Sequence, residues 1–239
     1  SGEIGVRLSE RLLADGHQIV AYDRQPHPLK HDRLHFRQGD VRDLEALTRA
    51  AAGCDAAVHL AALAGDSDDG EIVSVNVLGA YSFFRAACDQ RLGVAVLASS
   101  APVHLKPREP HRSLLINSAS RDTYDLTKSL QELVAAHFHA QGLPTFCLRL
   151  GHVVRGEARM NLSTATPLDE FDYCRGGWVA LEDVVAACAS ALRAPPDDSF
   201  HIYNVVGSRE SRARFDVAET ERRFGVTLSY DFAEFVPEV

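Results

Sequence analysis

Short apolar runs alternate with segments of helical periodicity along most of the chain, and this alternation restricts the possible folds more than any other feature. Each run has the length and apolar character of a buried strand. Strands that alternate with helices at this spacing form a parallel sheet with helices on both faces. The predicted strands cover residues 17–22, 34–41, 56–62, 93–100, 145–150 and 201–206. The predicted helices include 44–52, 72–90, 181–192 and 215–224, whereas residues 151–174 have a less regular pattern.

The chain opens on a glycine turn that leads into a helical pattern, Ser1-Gly2-Glu3-Ile4-Gly5. Such a turn can hold the pyrophosphate of a dinucleotide, because free backbone N–H groups and the positive end of the helix dipole face the anion. Gly2 and Gly5 match the last two glycines of a G-x-x-G-x-x-G turn. The strand and the first glycine of that turn lie outside the sequence, so we expect the native chain to begin before Ser1.

Asp23 follows the next strand, about 20 residues after the glycine turn, where an acidic side chain binds the adenosine ribose hydroxyls. Its carboxylate would repel a 2′-phosphate, which favours NAD over NADP. Arg24 keeps NADP possible, since a neighbouring guanidinium can bind that phosphate.

Tyr124 and Lys128 stand four residues apart in a helical segment, so their side chains share one face. A free phenol has a pKa of about 10, and a nearby ammonium group favours the phenolate. The pair can therefore supply a general acid or base near neutral pH. Ser99 and Ser100 end a predicted strand, and ligands of open parallel sheets bind at that end of the strands.

Composition restricts the partners and the compartment. A net charge of −8 argues against nucleic acid or an anionic membrane as the main partner. The 5 cysteines include no C-x-x-C pair, which predicts reduced thiols. There is neither a stretch of transmembrane length nor a basic-then-apolar leader, so we expect a cytoplasmic protein.

Three histidines at a spacing of four, His27, His31 and His35, would form a metal-binding face only on a helix. Pro26 and Pro28 interrupt any helix there. We therefore expect a solvated loop and no metal site.

Taken in order, these motifs resemble those of the extended short-chain dehydrogenase/reductases, in the NAD-dependent epimerase/dehydratase family. The resemblance extends over nearly the whole chain. The segments that carry it are Gly2-Glu3-Ile4-Gly5, Asp23, Gly39-Asp40-Val41, His59-Leu60-Ala61-Ala62, Asn76, Ser99-Ser100, Tyr124 to Lys128, Leu148-Arg149 and residues 178–184.

The resemblance implies an α/β fold with a doubly wound parallel sheet, the Rossmann fold, and a small C-terminal substrate-binding part. We expect a dinucleotide-binding domain over residues 1–150, without its first strand. Residues 151–239 would form the substrate-binding part, interleaved with the last strands and helices of the sheet. The resemblance also implies a homodimer formed through the helices that carry Asn76 and Tyr124.

The resemblance implies that Tyr124 is the general acid or base at the reacting oxygen. Lys128 would hold the nicotinamide ribose and lower the pKa of the tyrosine. Ser100 would donate a hydrogen bond to the same substrate oxygen, with Ser99 as the second candidate. The residues implied to bind NAD, or NADP, are Gly2, Ile4, Gly5, Asp23, Arg24, Asp40, Val41, Leu60, Ala61, Ala62, Asn76, Tyr124 and Lys128.

Departures from the family pattern bear on the substrate. Ala101 and Pro102 follow Ser100 where dehydratases place an Asp-Glu pair, which disfavours sugar dehydration. The part after Lys128 is short for binding a nucleotide sugar, which favours a free sugar or sugar acid. The residues expected to bind substrate are Ser100, His104 and Arg159. Arg159 could bind a substrate carboxylate or remain a solvated loop residue.

Three functions fit the sequence. The first is an NAD(P)-dependent oxidoreductase that acts on a hydroxyl or ketone of a small carbohydrate. The second is a nucleotide-sugar epimerase that retains its NAD. The third is an NAD(P)-binding sensor or scaffold without turnover, which would have no need of the Ser100, Tyr124 and Lys128 set.

Overall fold

The computed structural model describes residues 1–65, 67–101, 122–162, 165–170, 177–207, 212 and 215–235. The strands are β1 (Ile19–Asp23), β2 (Leu34–Gln38), β3 (Ala56–His59), β4 (Val94–Ser100), β5 (Thr145–Leu150), β6 (His152–Arg155), β7 (Met160–Asn161), β8 (Trp178–Ala180) and β9 (His201–Val205). The helices are α1 (Glu3–Ala14), α2 (Leu44–Ala51), α3 (Asp69–Val73), α4 (Gly79–Asp89), α5 (Thr123–Ala140), α6 (Leu181–Ala191) and α7 (Val217–Phe224). None of the described helices is both long enough and apolar enough to cross a membrane.

All strand pairs of the main sheet are parallel, in the order β3-β4-β5-β9. β1 and β2 form a second parallel pair, which is not hydrogen-bonded to the main sheet in the described residues. The predicted α/β fold with a parallel sheet is confirmed.

Successive residues of β4 pack against different helices. Val94, Val96 and Ala98 belong to a core cluster with residues of α1, α6 and α7. Ala95 and Leu97 belong to a second cluster with residues of α4 and α5. Because side chains of a strand alternate between the two faces, the sheet is covered by helices on both faces. This is the doubly wound arrangement.

Two features differ from the sequence-based expectations. The helix predicted over residues 72–90 is interrupted by a π-helical turn (Ser74–Leu78) between α3 and α4. The segment after β5 is more regular than its sequence indicates, because β6 pairs with both β7 and β8 in a small separate sheet. The pairing of β6 with β8 joins residues far apart in the chain, so local periodicity does not reveal it.

Gly207 lies where β8 and the C-terminal segment meet the end of β9. Its N–H donates a hydrogen bond to the Trp178 carbonyl oxygen at 3.0 Å. A Cβ atom on Gly207 would lie 2.5 Å from the Tyr230 carbonyl oxygen, which is closer than real Cβ contacts. Only glycine therefore allows the C-terminal segment to pack here.

We expect Gly207→Ala to lower the free energy of unfolding by about 1–3 kcal/mol, because backbone must move to admit the methyl group. Urea denaturation measures the change. Gly93→Ala is the control, since its Cβ would lie 3.4 Å from the nearest atom, the Asp55 carbonyl oxygen. It should leave stability within about 1 kcal/mol of the wild type. Equal losses in both variants would contradict the close approach at Gly207.

Candidate active site

The carboxyl ends of three parallel strands define the candidate site. β3 ends at His59, β4 at Ser100 and β5 at Leu150, and Ser100 lies beside Leu150 in the pairing of β4 with β5. α5 begins near the end of β4. Asp122 caps it by accepting a hydrogen bond from the Tyr124 N–H at 2.8 Å, so Tyr124 lies in the first turn.

The three candidate catalytic residues lie together. Ser100 and Tyr124 lie near each other, and their interaction lowers the pKa of the Tyr124 phenol. The Lys128 Nζ atom lies over the Tyr124 ring, 5.5 Å from its centroid. Lys128 is almost completely buried, and its ammonium group donates a hydrogen bond to the Ala98 carbonyl oxygen at 2.9 Å.

Burial dominates the titration of this cluster. It raises the pKa of Tyr124 to about 12, helped by the Asp125 charge and opposed by the hydrogen bond with Ser100. It lowers the pKa of Lys128 to about 8, opposed by Cys147 and Glu132. The expected lowering of the Tyr124 pKa by Lys128 is therefore not seen in this structure. The physical reason is that desolvation disfavours the phenolate, while the ammonium group is engaged by Ala98.

The glycine turn starts α1 as the sequence predicts. Gly2 is the N-cap residue and provides no side-chain hydrogen bond, so the N–H groups of the first turn remain for another acceptor. Ile4 packs against the core cluster of α1 and α6, and a Cβ on Gly5 would lie 3.7 Å from Leu60 Cδ1. The first turn of α1 thus contacts the segment that follows β3.

An ion pair at this turn had no sequence signal. The Arg155 guanidinium makes two hydrogen bonds of 2.7 Å to the two carboxylate oxygens of Glu3. The hydrogen bonds from Arg155 lower the pKa of Glu3, which therefore stays ionised. Because the carboxylate is paired, its charge at the helix N-terminus is neutralised where an anion would otherwise be repelled.

The carboxylate of Asp23 lies at the end of β1, and its Oδ1 atom accepts a hydrogen bond from the Gln25 N–H at 2.8 Å. The neighbouring Arg24 is exposed, and its guanidinium lies 4.0 Å from a Glu71 carboxylate oxygen.

The acidic turn after β2 is held by its own arginine. Arg42 donates to both carboxylate oxygens of Asp40, at 2.9 and 2.6 Å, and these hydrogen bonds lower the pKa of Asp40 to about 2. Asp40 is therefore charged at any physiological pH. Val41 is half-buried and packs against the start of α4, since a Cβ on Gly79 would lie 2.6 Å from Val41 Cγ1.

Asn76 is the sequence-predicted cofactor residue whose position differs most from the expectation. It has 0% exposed surface, so no atom is available to touch a cofactor. Its side-chain amide bonds the Leu63 N–H and carbonyl oxygen, at 2.7 and 2.9 Å, and the Thr127 hydroxyl at 2.9 Å. Asn76 instead fixes the segment after β3 to α5. Ala61 and Ala62, in that segment, are exposed.

The residues expected to bind substrate are not all brought together. His104 lies outside the described residues. Arg159 has a left-handed backbone conformation and forms an ion pair with Glu234 at 2.6 Å. Its guanidinium also lies over the Phe235 ring, 5.6 Å from the centroid. The side chains of Glu234 and Phe235 therefore contact the guanidinium group of Arg159, which the sequence analysis assigns to a substrate carboxylate.

These residues fit a dinucleotide. The uncapped first turn of α1 suits a pyrophosphate, the exposed Ala61 and Ala62 allow close approach at the end of β3, and Asp23 suits a ribose. In the described part of the chain, no group of three or more His, Cys, Asp or Glu side chains could hold a metal ion.

Comparisons with known proteins agree with this geometry. L-arabinose 1-dehydrogenase (NAD(P)(+)) of Haloferax volcanii is 26% identical over 94% of this chain and 92% of that protein. Uronate dehydrogenase of Pseudomonas syringae pv. tomato is 24% identical over 86% of this chain and 71% of that protein. The solved structure of MoeE5 in complex with UDP-glucuronic acid and NAD superposes with a TM-score of 0.77 at 22% identity, over 97% of this chain and 92% of that one.

The model of the NAD dependent epimerase/dehydratase family matches residues 1–164, which is more than half of the chain. The family resemblance expected from the motifs is confirmed. The chain belongs to the NAD dependent epimerase/dehydratase family.

Proposed function

We propose that this chain is an NAD-dependent dehydrogenase that oxidises a hydroxyl group of a free sugar or sugar acid, with Ser100, Tyr124 and Lys128 as its catalytic residues. The observation that carries the proposal is the grouping of Ser100, Tyr124 and Lys128 at the carboxyl end of β4, with the Lys128 Nζ atom 5.5 Å from the centroid of the Tyr124 ring. It places two hydroxyl groups where one substrate oxygen can contact both. The two sugar dehydrogenases that align with most of the chain support the substrate class.

The geometry suggests how the residues divide the reaction. The substrate hydroxyl takes the place beside Ser100 and Tyr124, and the Ser100 hydroxyl donates a hydrogen bond to its oxygen. Tyr124, as phenolate, accepts the hydroxyl proton while the carbon–hydrogen bond breaks. The nicotinamide, when bound, accepts the hydride. Lys128, whose ammonium group lies over the phenol ring, would hold the nicotinamide ribose.

The same arrangement suits NAD better than NADP. Asp23 ends β1 as a carboxylate, and a 2′-phosphate there would meet its charge. Arg24 is exposed beside it and could compensate in part. The ratio of kcat/KM for NAD and NADP measures this preference, and a ratio below one would contradict the role given to Asp23.

We expect Tyr124→Phe to lower kcat about 10²–10⁴-fold, because proton transfer is lost while the ring remains. NADH formation with a panel of aldoses and hexuronates measures turnover, and tryptophan or NADH fluorescence measures cofactor binding. NAD affinity should stay close to the wild-type value. Tyr81→Phe, at an exposed tyrosine of α4, is the control and should leave kcat unchanged. Retained turnover in Tyr124→Phe would exclude the proposed proton transfer.

An epimerase is the second candidate, because MoeE5, which the fold resembles, was solved with a nucleotide sugar and NAD. An epimerase re-reduces its own intermediate and so retains its cofactor through the cycle. The nicotinamide content of the purified protein separates the candidates. A stoichiometric, non-exchanging cofactor supports the epimerase, whereas reversible binding supports the dehydrogenase. Failure to bind either dinucleotide contradicts both, and binding without turnover supports a sensor.

The proposed domain division follows the sheets. Residues 1–150 contain β1 to β5 and the glycine turn, and form the dinucleotide-binding domain. Residues 151–239 contribute the small sheet of β6, β7 and β8, whose Val154, Trp178 and Ala180 share a separate core cluster. β9 returns to pair with β5, so the substrate-binding part is interleaved with the main sheet. Protection of the two regions from proteolysis, with and without NAD, tests this division.

A reducing, cytoplasmic location fits the cysteines. Cys54, Cys88, Cys147 and Cys188 are all free in the described residues. The negative net charge of −8 disfavours nucleic acid as a partner. Thiol labelling of the protein in intact cells tests the redox state, and extensive disulfide formation there would contradict the location.

A homodimer would cover apolar side chains that α4 and α5 leave exposed. Leu78, the last residue of the π-helical turn, and Tyr81, at the start of α4, are 50% and 44% exposed. Leu126 and Leu133 are 45% and 41% exposed on α5. α4 and α5 pack on each other, so the four exposed side chains lie on or next to one pair of packed helices. A second copy of the same face is the partner that buries them symmetrically.

We expect Leu133→Glu to weaken dimerisation at least about 10-fold, because it places a charge in the apolar face. Sedimentation velocity over a concentration series measures the dissociation constant. Gln18→Glu adds the same charge at an exposed position outside both helices and should not change it. A wild type that is monomeric at every concentration would contradict the dimer.

The burial of Lys128 predicts a pH-dependent penalty on stability. Its pKa falls from 10.5 to about 8 on folding, so between these values the unfolded chain binds more protons than the folded one. The penalty is complete below about pH 8 and fades towards pH 10.5.

We therefore expect Lys128→Met to raise the free energy of unfolding at about pH 7 by about 1–3 kcal/mol while abolishing turnover. The gain over the wild type should shrink steadily above about pH 8. Urea denaturation at several pH values measures it. Lys30→Met, at an exposed lysine, is the control and should show no such gain. A variant that is no more stable than the wild type at any pH would contradict the penalty.

A further inference from the structure

A deeply buried ion pair lies next to the candidate catalytic residues. Glu132 and Arg149 are 1% and 0% exposed. Arg149 Nε donates to Glu132 Oε1 at 2.8 Å, and Arg149 Nη2 donates to Oε2 at 2.7 Å. The Ser99 hydroxyl also donates to Glu132 Oε1, at 2.6 Å.

Glu132 and Ser99, which are joined by this hydrogen bond, each lie close to a candidate catalytic residue. Glu132 follows Lys128 by four residues, so the two side chains share one face of α5. Ser99 precedes Ser100 on β4 and lies beside Arg149 in the pairing of β4 with β5. Glu132 thereby joins α5 to β4 and β5, two of the three strands whose ends form the site.

We propose that Glu132 is a positioning residue that holds Lys128 and Ser100 at their places in the site through Arg149 and Ser99. The proposal rests on the proposed catalytic roles of Ser100, Tyr124 and Lys128. It extends the proposed function, because the catalytic roles of these three residues do not explain why a charged pair is buried beside them.

The energetics favour a geometric role over a purely stabilising one. Removing two charges from water is expensive, and well-packed apolar residues of similar volume often give equal or greater stability. Hydrogen bonds, in contrast, have direction. The bidentate guanidinium and the Ser99 hydroxyl define where the Glu132 carboxylate lies and so which part of α5 faces β4.

A second set of hydrogen bonds restrains the opposite side of this helix segment. Gln131 donates to the Asn76 carbonyl oxygen at 2.8 Å, and Thr127 accepts from the Asn76 amide at 2.9 Å. α5 is thus attached to the sheet through Glu132 and to the π-helical turn through Thr127 and Gln131. Removal of the Glu132 carboxylate would remove one of the restraints that hold α5 against the sheet, where the hydrogen bond from Lys128 to the Ala98 carbonyl oxygen acts as well.

The charges around Lys128 allow the proposal to be tested by measuring the pKa of Lys128. A residue with a purely structural role would not change that pKa. The side chains that interact with the Lys128 ammonium are Tyr124 and Glu132 from α5, His59 from β3 and Cys147 from β5. Burial lowers the pKa of His59 to about 3 and raises the pKa of Cys147, so both are neutral. Burial likewise raises the pKa of Tyr124 to about 12, so Glu132 is the anion of this group.

Glu132→Gln tests the proposal, because glutamine keeps the shape and removes the charge. The chain contains 3 lysines, Lys30, Lys106 and Lys128, so a ¹³C-lysine NMR titration resolves them. Lys128→Met identifies the Lys128 signal by its loss. We expect Lys128 to titrate at lower pH in Glu132→Gln, since the carboxylate charge that raises its pKa is lost. The titration requires no turnover.

Turnover provides the second readout. We expect kcat of Glu132→Gln to fall about 10- to 100-fold with KM for NAD within about 3-fold of the wild type, because small displacements of catalytic groups reduce kcat. The basic limb of the pH profile should move to lower pH together with the Lys128 titration. Ser99→Ala, which removes one hydrogen bond and no charge, should lower kcat less and leave that limb in place.

Two further variants separate positioning from folding. Glu132→Gln with Arg149→Met removes both charges of the pair, so it should recover stability without recovering kcat. Asp197→Asn disrupts the partly buried pair with Arg223 at the start of β9 and should reduce stability without changing kcat or the Lys128 titration.

The proposal is overturned if Glu132→Gln leaves both kcat and the Lys128 titration at wild-type values, or if the double variant regains full kcat along with its stability. A wild type without turnover on any sugar contradicts the proposed function instead. In that case the Lys128 titration still decides whether Glu132 governs the Lys128 environment.

Discussion

The hydrogen bond from the buried Lys128 ammonium to the Ala98 carbonyl oxygen is the contact on which the geometry of the site depends. It joins the first half of α5 to β4 two residues before the strand ends. Tyr124 lies one helical turn before Lys128, and this contact therefore places its hydroxyl beside Ser100. An ammonium group without an acceptor at this depth would carry the full penalty of desolvation, so the bond also keeps the lysine in place.

Charge is balanced locally throughout the site. Arg155 neutralises Glu3 at the start of α1, Arg42 neutralises Asp40 after β2, and Arg149 neutralises Glu132 next to the candidate catalytic residues. The first two pairs are partly exposed and are screened by water, whereas the third is inaccessible. The partly exposed ion pairs therefore lie where a dinucleotide would bind, and the buried ion pair lies where proton transfer would occur.

Sequence patterns predicted the parallel strands well, because each is a short apolar run bounded by polar turns. β4 and β5 are buried along their whole length, and their limits match the prediction to within a residue. The π-helical turn and the small sheet of β6, β7 and β8 were not predicted. Both depend on contacts with distant residues, such as the Asn76 bonds to Leu63 and Thr127.

The sequence by itself determined which side chains could carry the chemistry: helical spacing put Tyr124 and Lys128 on one face, and strand ends placed Ser100 and Asp23 at one edge of the parallel sheets. The tertiary structure alone decided how these groups are used. It buried Lys128 against Ala98, took Asn76 out of reach of a cofactor, and engaged Arg159 with Glu234. The physical reason is that local periodicity determines on which face of a helix or strand a side chain lies, whereas the desolvation and pairing of that side chain depend on neighbours that are distant in the chain.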